Sequence, residues 1–175
     1  MQHGLANIFT ALRLLALACA CAALPAQADD YDEVNQMLRS GKLVEAATKV
    51  DAYLATKPRD PQMRFLKGVI QRNAGKTADA IITFTQLSQD YPELAEPYNN
   101  LAVLHAGQGQ FDQARAALEM AVRANPDYAT AHENLGDVYV RLASQAYGRA
   151  IQIDSANASV PAKLTLIRAL SESQR

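Results

Sequence analysis

The most constraining feature of this sequence is a set of residues that recur every 34 positions. A proline, a glycine and an alanine each return at that interval, and three independent residue types rarely share one period by chance. The three sets are Pro58, Pro92 and Pro126; Gly41, Gly75 and Gly109; and Ala46, Ala80 and Ala114. Such a period indicates an array of repeated structural units.

Each recurring residue type predicts one part of a helical hairpin. Glycine supplies the positive φ that a tight turn between helices requires. A small residue such as Ala114 or Gly68 lets two helices approach closely, while Phe84 or Leu118 fills the space beside it. Proline after the second helix cannot continue that helix, so the chain turns into the next unit. Because only 6% of the residues are aromatic and Trp is absent, the composition also favours helix, and we predict an all-α stack.

The clearest copy of the repeat, residues 95–128, carries a full set of characteristic side chains. Its first helix has a large aromatic residue, a leucine and a small residue; a glycine follows in the turn, and a proline closes the unit. These residues are Tyr98, Leu101, Ala102, Gly109, Phe111, Ala114, Leu118, Ala121 and Pro126. In unit length and in these positions the chain resembles the tetratricopeptide repeat family. The resemblance covers nearly all of the chain after residue 28, and it implies an α–α superhelix of about three to four hairpins.

The two earlier copies are less regular. Residues 61–94 keep the spacing, but Arg64 and Lys67 stand at positions of the first helix where the family has apolar residues. Residues 29–60 form a degenerate copy, whose first helix we expect at about residues 31–39.

The fourth copy, residues 129–157, starts like the others but lacks the turn glycine. An apolar stripe of helical period runs on without interruption, which predicts one long helix over about residues 131–154. A tighter turn near residues 142–144, giving a hairpin, is the alternative.

After the fourth copy, residues 158–175 are expected to form a capping helix, at about residues 162–170, and a tail. This helix would cover the end of the stack or fold against the long helix. The second half of the long helix, having lost its usual partner, would expose Tyr147, Ile151 and Ile153. Exposed apolar stripes usually mark an interface, so this stripe is a candidate site for self-association or for docking a partner.

The N-terminal segment, residues 1–28, has the pattern of a cleavable secretory signal. Arg13 precedes an apolar stretch over residues 14–24, and a small–x–small pattern ends at residue 28. The stretch is about half the roughly 20 residues that a spanning helix needs, so a permanent anchor is not expected. Export to the periplasm is therefore predicted. Lipid anchoring through Cys19 or Cys21 is the minority alternative.

Catalytic and cofactor-binding signatures are missing from the sequence. Neither a nucleotide-binding glycine motif nor a cluster with metal-ligand spacing occurs. His105 and His132 fall at positions where the family packs aromatic residues, so packing is the expected role. A net charge of -1 gives no reason to expect a nucleic-acid partner. We therefore expect no enzyme activity, no cofactor and no metal.

The resemblance to the family also implies a binding groove on the concave face of the stack. Asn100 and Asn134 share one position on consecutive first helices, and family members can use such asparagines as a ladder that grips an extended peptide backbone. Simple tolerance of solvent, or capping of nearby backbone, is the alternative role; Leu66 holds the equivalent position one copy earlier. The expected groove residues are Phe65, Val69, Arg72, Asn73, Asn99, Asn100, Val103, Glu133, Asn134, Asp137 and Arg141.

One known binding mode of the family is not expected. The basic clamp by which some members hold a carboxylate tail needs Lys or Asn at positions that here carry Phe65, Val69, Leu66 and Glu96. The expected function is instead a non-catalytic adaptor that binds a polypeptide segment in the groove, in cell-envelope biogenesis. The alternative is a structural subunit, or a homo-oligomer, held through the long C-terminal helix.

Overall fold

The computed structural model describes residues 24–172, and these form eight α-helices without a β-strand. The all-α prediction is confirmed. The described residues divide into two compact units, one that ends at Pro58 and one that begins at Arg59. Most of the expected signal segment lies outside the described residues.

The first unit contains one helical hairpin. Helix α1 (Leu24–Arg39) and helix α2 (Leu43–Thr56) pack against each other across a turn in which Gly41 has φ 69°. The expected start of the first helix near residue 31 is wrong, because α1 begins at Leu24.

An ionic cluster ties the two helices of this hairpin together. Lys49 of α2 lies 2.9 Å from Asp30 and 2.6 Å from Glu33, both on α1. Hydrogen bonds to these two carboxylates raise the pKa of Lys49 well above its ordinary value. Two of the acidic residues near the expected cleavage point therefore pair with a lysine.

The second unit contains the other six helices. In chain order they are α3 (Pro61–Asn73), α4 (Thr77–Asp90), α5 (Ala95–Gly107), α6 (Phe111–Ala124), α7 (Ala129–Ile153) and α8 (Val160–Glu172). Each helix packs on the next one along the chain, and α5 also contacts α7. Contacts between consecutive elements are what a stacked repeat requires.

Glycine acts in two different ways in this unit. Gly75 and Gly109, in the turns after α3 and α5, have φ angles of 72° and 73°, which only glycine adopts without strain. Gly68 lies inside α3, where a Cβ atom would be 2.6 Å from two ring carbons of Phe84 on α4. The predicted close approach of the helices, with Phe84 beside the small residue, is confirmed.

The core of the second unit follows the repeat. Small residues at the helix crossings alternate with larger side chains that fill the remaining space. The buried members on α4 to α7 include Ala80, Phe84, Leu101, Leu104, Ala95, Ala102, Ala114, Leu118, Ala121, Ala131 and Val138. Tyr98, at the aromatic position of α5, donates a hydrogen bond from its hydroxyl to the carbonyl of Ser88 on α4, at 3.1 Å.

The C-terminal region has the long helix and not the hairpin. Helix α7 continues through residues 142–144 without a turn, and α8 folds back against it. Val160 and Leu164 of α8 are buried there, and the Lys163 ammonium lies 5.5 Å from the centre of the Tyr147 ring.

This packing corrects the expected C-terminal stripe. Tyr147 and Ile151 are half-buried, whereas Ile153 is 77% exposed. The expectation of three exposed residues is wrong for the first two. The sequence shows that α7 has lost its usual partner, but only the fold shows that α8 packs on the same half of it.

Candidate functional site

The first helices of the three copies in the second unit, α3, α5 and α7, carry the candidate groove. Side chains of neighbouring first helices are joined by hydrogen bonds. Arg72 of α3 reaches Asn100 of α5, and Asn134 of α7 reaches Asn99 of α5. The first helices of consecutive copies are therefore in side-chain contact, although the bonded residues do not hold equivalent repeat positions.

The side-chain oxygen and nitrogen of Asn100 are both hydrogen-bonded within the protein. Its side-chain oxygen accepts a bond of 2.6 Å from the Arg72 guanidinium, and its nitrogen donates to the Glu96 carbonyl at 2.9 Å. The residue is only 6% exposed. Of the two roles considered from the sequence, the contacts of Asn100 match the capping of nearby backbone.

Asn99 and Asn134 form a hydrogen-bonded pair that can still donate to and accept from a ligand. The Asn134 nitrogen donates to the Asn99 oxygen at 2.8 Å, which leaves the Asn99 nitrogen and the Asn134 oxygen without a hydrogen-bond partner among the described residues. No polar side-chain atom in the described part of the chain is both buried and unsatisfied. Both atoms therefore reach solvent, although Asn99 is only 7% exposed.

This result does not depend on which way the amides are oriented. Reversing both side chains exchanges their roles, but the pair still offers an amide NH₂ group as donor and an amide oxygen as acceptor. A peptide group needs this complement, because it too carries one donor and one acceptor. The sequence pointed to Asn100 and Asn134 because they share a repeat position; the structure pairs Asn134 with Asn99.

The apolar part of the groove is less open than the sequence suggested. Phe65 is half-buried, with its ring centre 5.6 Å from that of Phe84, and Val69 packs on the same cluster. Val103 of α5 is 43% exposed. Phe65 and Val69 therefore offer only part of their surface to a ligand, whereas Val103 is more exposed.

The charged groove residues differ in how far they are engaged. Arg72 is held by Asn100 and by two longer bonds, of 3.3 and 3.4 Å, to the exposed Asn73. On α7, Glu133 and Arg141 are exposed and Asp137 is half-buried. Glu133 makes no ion pair within residues 24–172, so its carboxylate is available to a ligand.

Only one of the two histidines packs as expected. His105 is half-buried and bonded to Gln110 at 2.7 Å, whereas His132 is exposed and bonds the Pro126 carbonyl at 2.8 Å. Packing is thus the wrong prediction for His132, because its ring bonds the loop before α7 and is not covered by a neighbouring helix. Nearby, burial and then the Glu96 carboxylate raise the pKa of Tyr128.

A pocket of about 460 Å³ is lined by Arg59, Arg64, Asp90 and Tyr91, and the sequence did not predict it. The Arg64 guanidinium lies 2.7 Å from the Asp90 carboxylate, and the Tyr91 hydroxyl donates to the Arg59 carbonyl. The one signal in the sequence was the charge of Arg64 at an apolar repeat position. The Arg64–Asp90 pair explains that charge as a contact between α3 and the end of α4.

Neither a metal site nor a membrane-spanning helix is found among residues 24–172. Across residues 24–172, no three His, Cys, Asp or Glu side chains are gathered as a metal site would require. Over the same range, every helix is too short or too polar to cross a membrane.

The fold and the groove define an α-helical repeat protein. Comparisons with known proteins indicate the type of repeat. A model described as tetratricopeptide repeat matches residues 31–95, and one described as TPR repeat matches residues 106–142. A curated relative, the chloroplastic tetratricopeptide repeat domain-containing protein PYG7 of Arabidopsis thaliana, is 37% identical over 73 residues. That match covers 39% of this chain and only 24% of the relative. Together these matches support the tetratricopeptide repeat family.

Solved structures show the same fold at low sequence identity. The first TPR domain of Spaghetti (RPAP3), bound to the HSP90 peptide SRMEEVD, matches with TM-score 0.60 and 16% identity, over 65% of this chain and 90% of that one. The Yersinia enterocolitica type III secretion chaperone SycD, in complex with a peptide of the translocator YopD, matches with TM-score 0.59 and 16% identity. That match covers 76% of this chain and 97% of SycD.

Proposed function

We propose that this protein is a non-catalytic adaptor that binds an extended polypeptide segment across α3, α5 and α7. The observation that carries the proposal is the Asn99–Asn134 pair, whose remaining donor and acceptor match one peptide group of a ligand. Recognition of backbone does not depend on the ligand's side chains, so the same pair would serve more than one sequence.

The structural neighbours support this function. Spaghetti (RPAP3) and SycD have the same fold, and both are known in complex with peptides. The neighbours supply the general mode, a peptide held by a helical repeat. The residues that would hold the peptide are proposed from the contacts of this chain alone.

The proposal also includes the place where the protein acts. An apolar N-terminal stretch behind Arg13 and a small–x–small pattern at residue 28 support export to the periplasm, and hence a role in cell-envelope biogenesis. Fractionation of cells, with the N-terminus of the purified protein determined by mass spectrometry, tests this. A full-length cytoplasmic product would contradict it.

The binding function is tested best by photocrosslinking from Val103. Its side chain is exposed and lies on the same helix as Asn99, whereas Asn100 is too buried to carry a probe. A photoreactive residue at position 103 should crosslink a partner in intact cells. The same residue at Ile82, an exposed apolar position on α4, serves as the matched control.

Loss of the position-103 adduct when Asn99→Ala and Asn134→Ala are combined would support peptide binding in the groove. Equal adducts from positions 103 and 82, unchanged by these substitutions, would contradict it.

A second candidate function is that of a structural subunit held through the C-terminal helices. Ile153 at the end of α7 and Leu166 on α8 are exposed, at 77% and 72%. Replacing both by Asp separates the two functions without deleting a helix. If this variant loses a partner or self-association but keeps the position-103 adduct, the structural-subunit function is favoured.

A further inference from the structure

The three first helices of the second unit differ in chemistry at two shared repeat positions. At one position the residues are Phe65, Asn99 and Glu133; at the other they are Val69, Val103 and Asp137. In the order α3, α5, α7, the groove is therefore apolar at one end, amide-bearing and apolar in the middle, and acidic at the other end.

Glu133 is the residue at the acidic end whose carboxylate can bind a ligand. Its side chain is exposed and makes no ion pair within the described residues. Asp137, one turn further along α7, has the same charge, but it is half-buried and has an interaction partner within the protein. Arg141 is exposed a further turn away, and Arg72 at the opposite end is already bonded to Asn100 and Asn73.

The geometry of the stack sets the spacing of the features that a ligand must carry. Neighbouring packed helices have axes about 10 Å apart, so α3 and α7, with α5 between them, are separated by roughly 20 Å. An extended chain advances about 3.3 Å per residue, so a ligand that crosses from α3 to α7 uses about six residues.

We propose that the groove selects an extended segment with an apolar side chain at one end and, about six residues away, a lysine or arginine that binds Glu133. The apolar side chain contacts the exposed part of Phe65 and Val69, and a peptide group between the two ends binds the Asn99–Asn134 pair. This inference rests on the proposed peptide-binding function, and it adds the chemistry of the ligand. Acidic segments such as the SRMEEVD peptide bound by Spaghetti (RPAP3) are disfavoured.

The test is selection of random linear peptides displayed on phage, carried out on the whole protein and on two charge-reversal variants. Glu133→Lys reverses the charge of the acidic end. Glu93→Lys makes the same change at an exposed position in the loop between α4 and α5, and it serves as the matched control.

The unchanged protein should enrich peptides with an apolar residue and, five to seven positions away, Lys or Arg. Glu133→Lys should enrich Asp or Glu at that position while keeping the apolar residue, and Glu93→Lys should select the same peptides as the unchanged protein. A synthetic peptide from the first selection should bind Glu133→Lys about tenfold more weakly, and reversal of its basic residue should restore binding.

The outcomes separate this inference from the function on which it rests. Selected peptides without a basic residue, or with affinity unchanged by Glu133→Lys, overturn the specificity. If their binding still falls in the Asn99→Ala/Asn134→Ala variant, the groove function stands. Selection of no peptide, or of peptides insensitive to both sets of substitutions, overturns both.

Discussion

Gly68 on α3 and Gly136 on α7 hold the same repeat position, but their surroundings are opposite. A Cβ atom at Gly68 would lie 2.6 Å from the Phe84 ring, whereas one at Gly136 would have nothing within 4 Å. In the second copy the chain turns and returns as α4, but in the fourth copy α7 continues straight on. A residue of the repeat can therefore persist where the contact that it normally serves has gone, and the two glycines should respond differently to the same change.

The largest expected effect comes from removing the side chain that fills the space beside Gly68. Phe84 is fully buried, so Phe84→Ala should lower the free energy of unfolding by about 3–5 kcal/mol. Tyr139, an aromatic residue that is half exposed on α7, is the matched control, and Tyr139→Ala should cost less than about 1 kcal/mol. Urea unfolding followed by circular dichroism measures both. Equal losses would mean that α7 is as closely covered as α3.

A proline tests the continuity of α7 directly. Ala143 lies in the middle of the helix, so Ala143→Pro should remove a backbone hydrogen bond and lower the free energy of unfolding by about 3 kcal/mol. Ala143→Gly, as the control, should cost about 1 kcal/mol. If the proline were tolerated as well as the glycine, a turn at residues 142–144 would be the better description.

Adding one methyl group to Gly68 should be the next most harmful change. Gly68→Ala forces the Phe84 ring to move and should lower the free energy of unfolding by about 1–3 kcal/mol, in spite of the better helix propensity of Ala. Denaturation midpoints give the comparison. Combination with Phe84→Leu, which shortens the clashing side chain, should recover part of the loss, and strictly additive losses would contradict the contact.

The smallest effect is expected at Gly136 and should have the opposite sign. With open space around the new methyl group, Gly136→Ala should raise the free energy of unfolding by about 0.5–1 kcal/mol through helix propensity alone. The same unfolding measurement applies. A loss of stability would show that another helix covers this part of α7 in solution.

The candidate site shows where prediction from the sequence stops. The groove residues were predicted because equivalent positions of a repeat lie on equivalent faces, and the structure shows that Val103 and Glu133 are exposed. The hydrogen-bond partners of the asparagines were not predictable. Whether Asn134 meets Asn99 or Asn100 depends on the rotation and offset of α7 against α5, and a shift of one residue along a helix changes the partner.

The sequence by itself determined the period, the helical hairpins, the turns with positive φ at Gly75 and Gly109, and the close approach of Gly68 to α4. These features follow from residues near one another in the chain, since each unit of a repeat packs mainly on its neighbours. Only the tertiary structure decided that α8 packs on Tyr147 and that Asn99 and Asn134 share a bond. Both depend on how helices of different copies are placed, and hydrogen bonds and side-chain packing are sensitive to shifts of about an ångström.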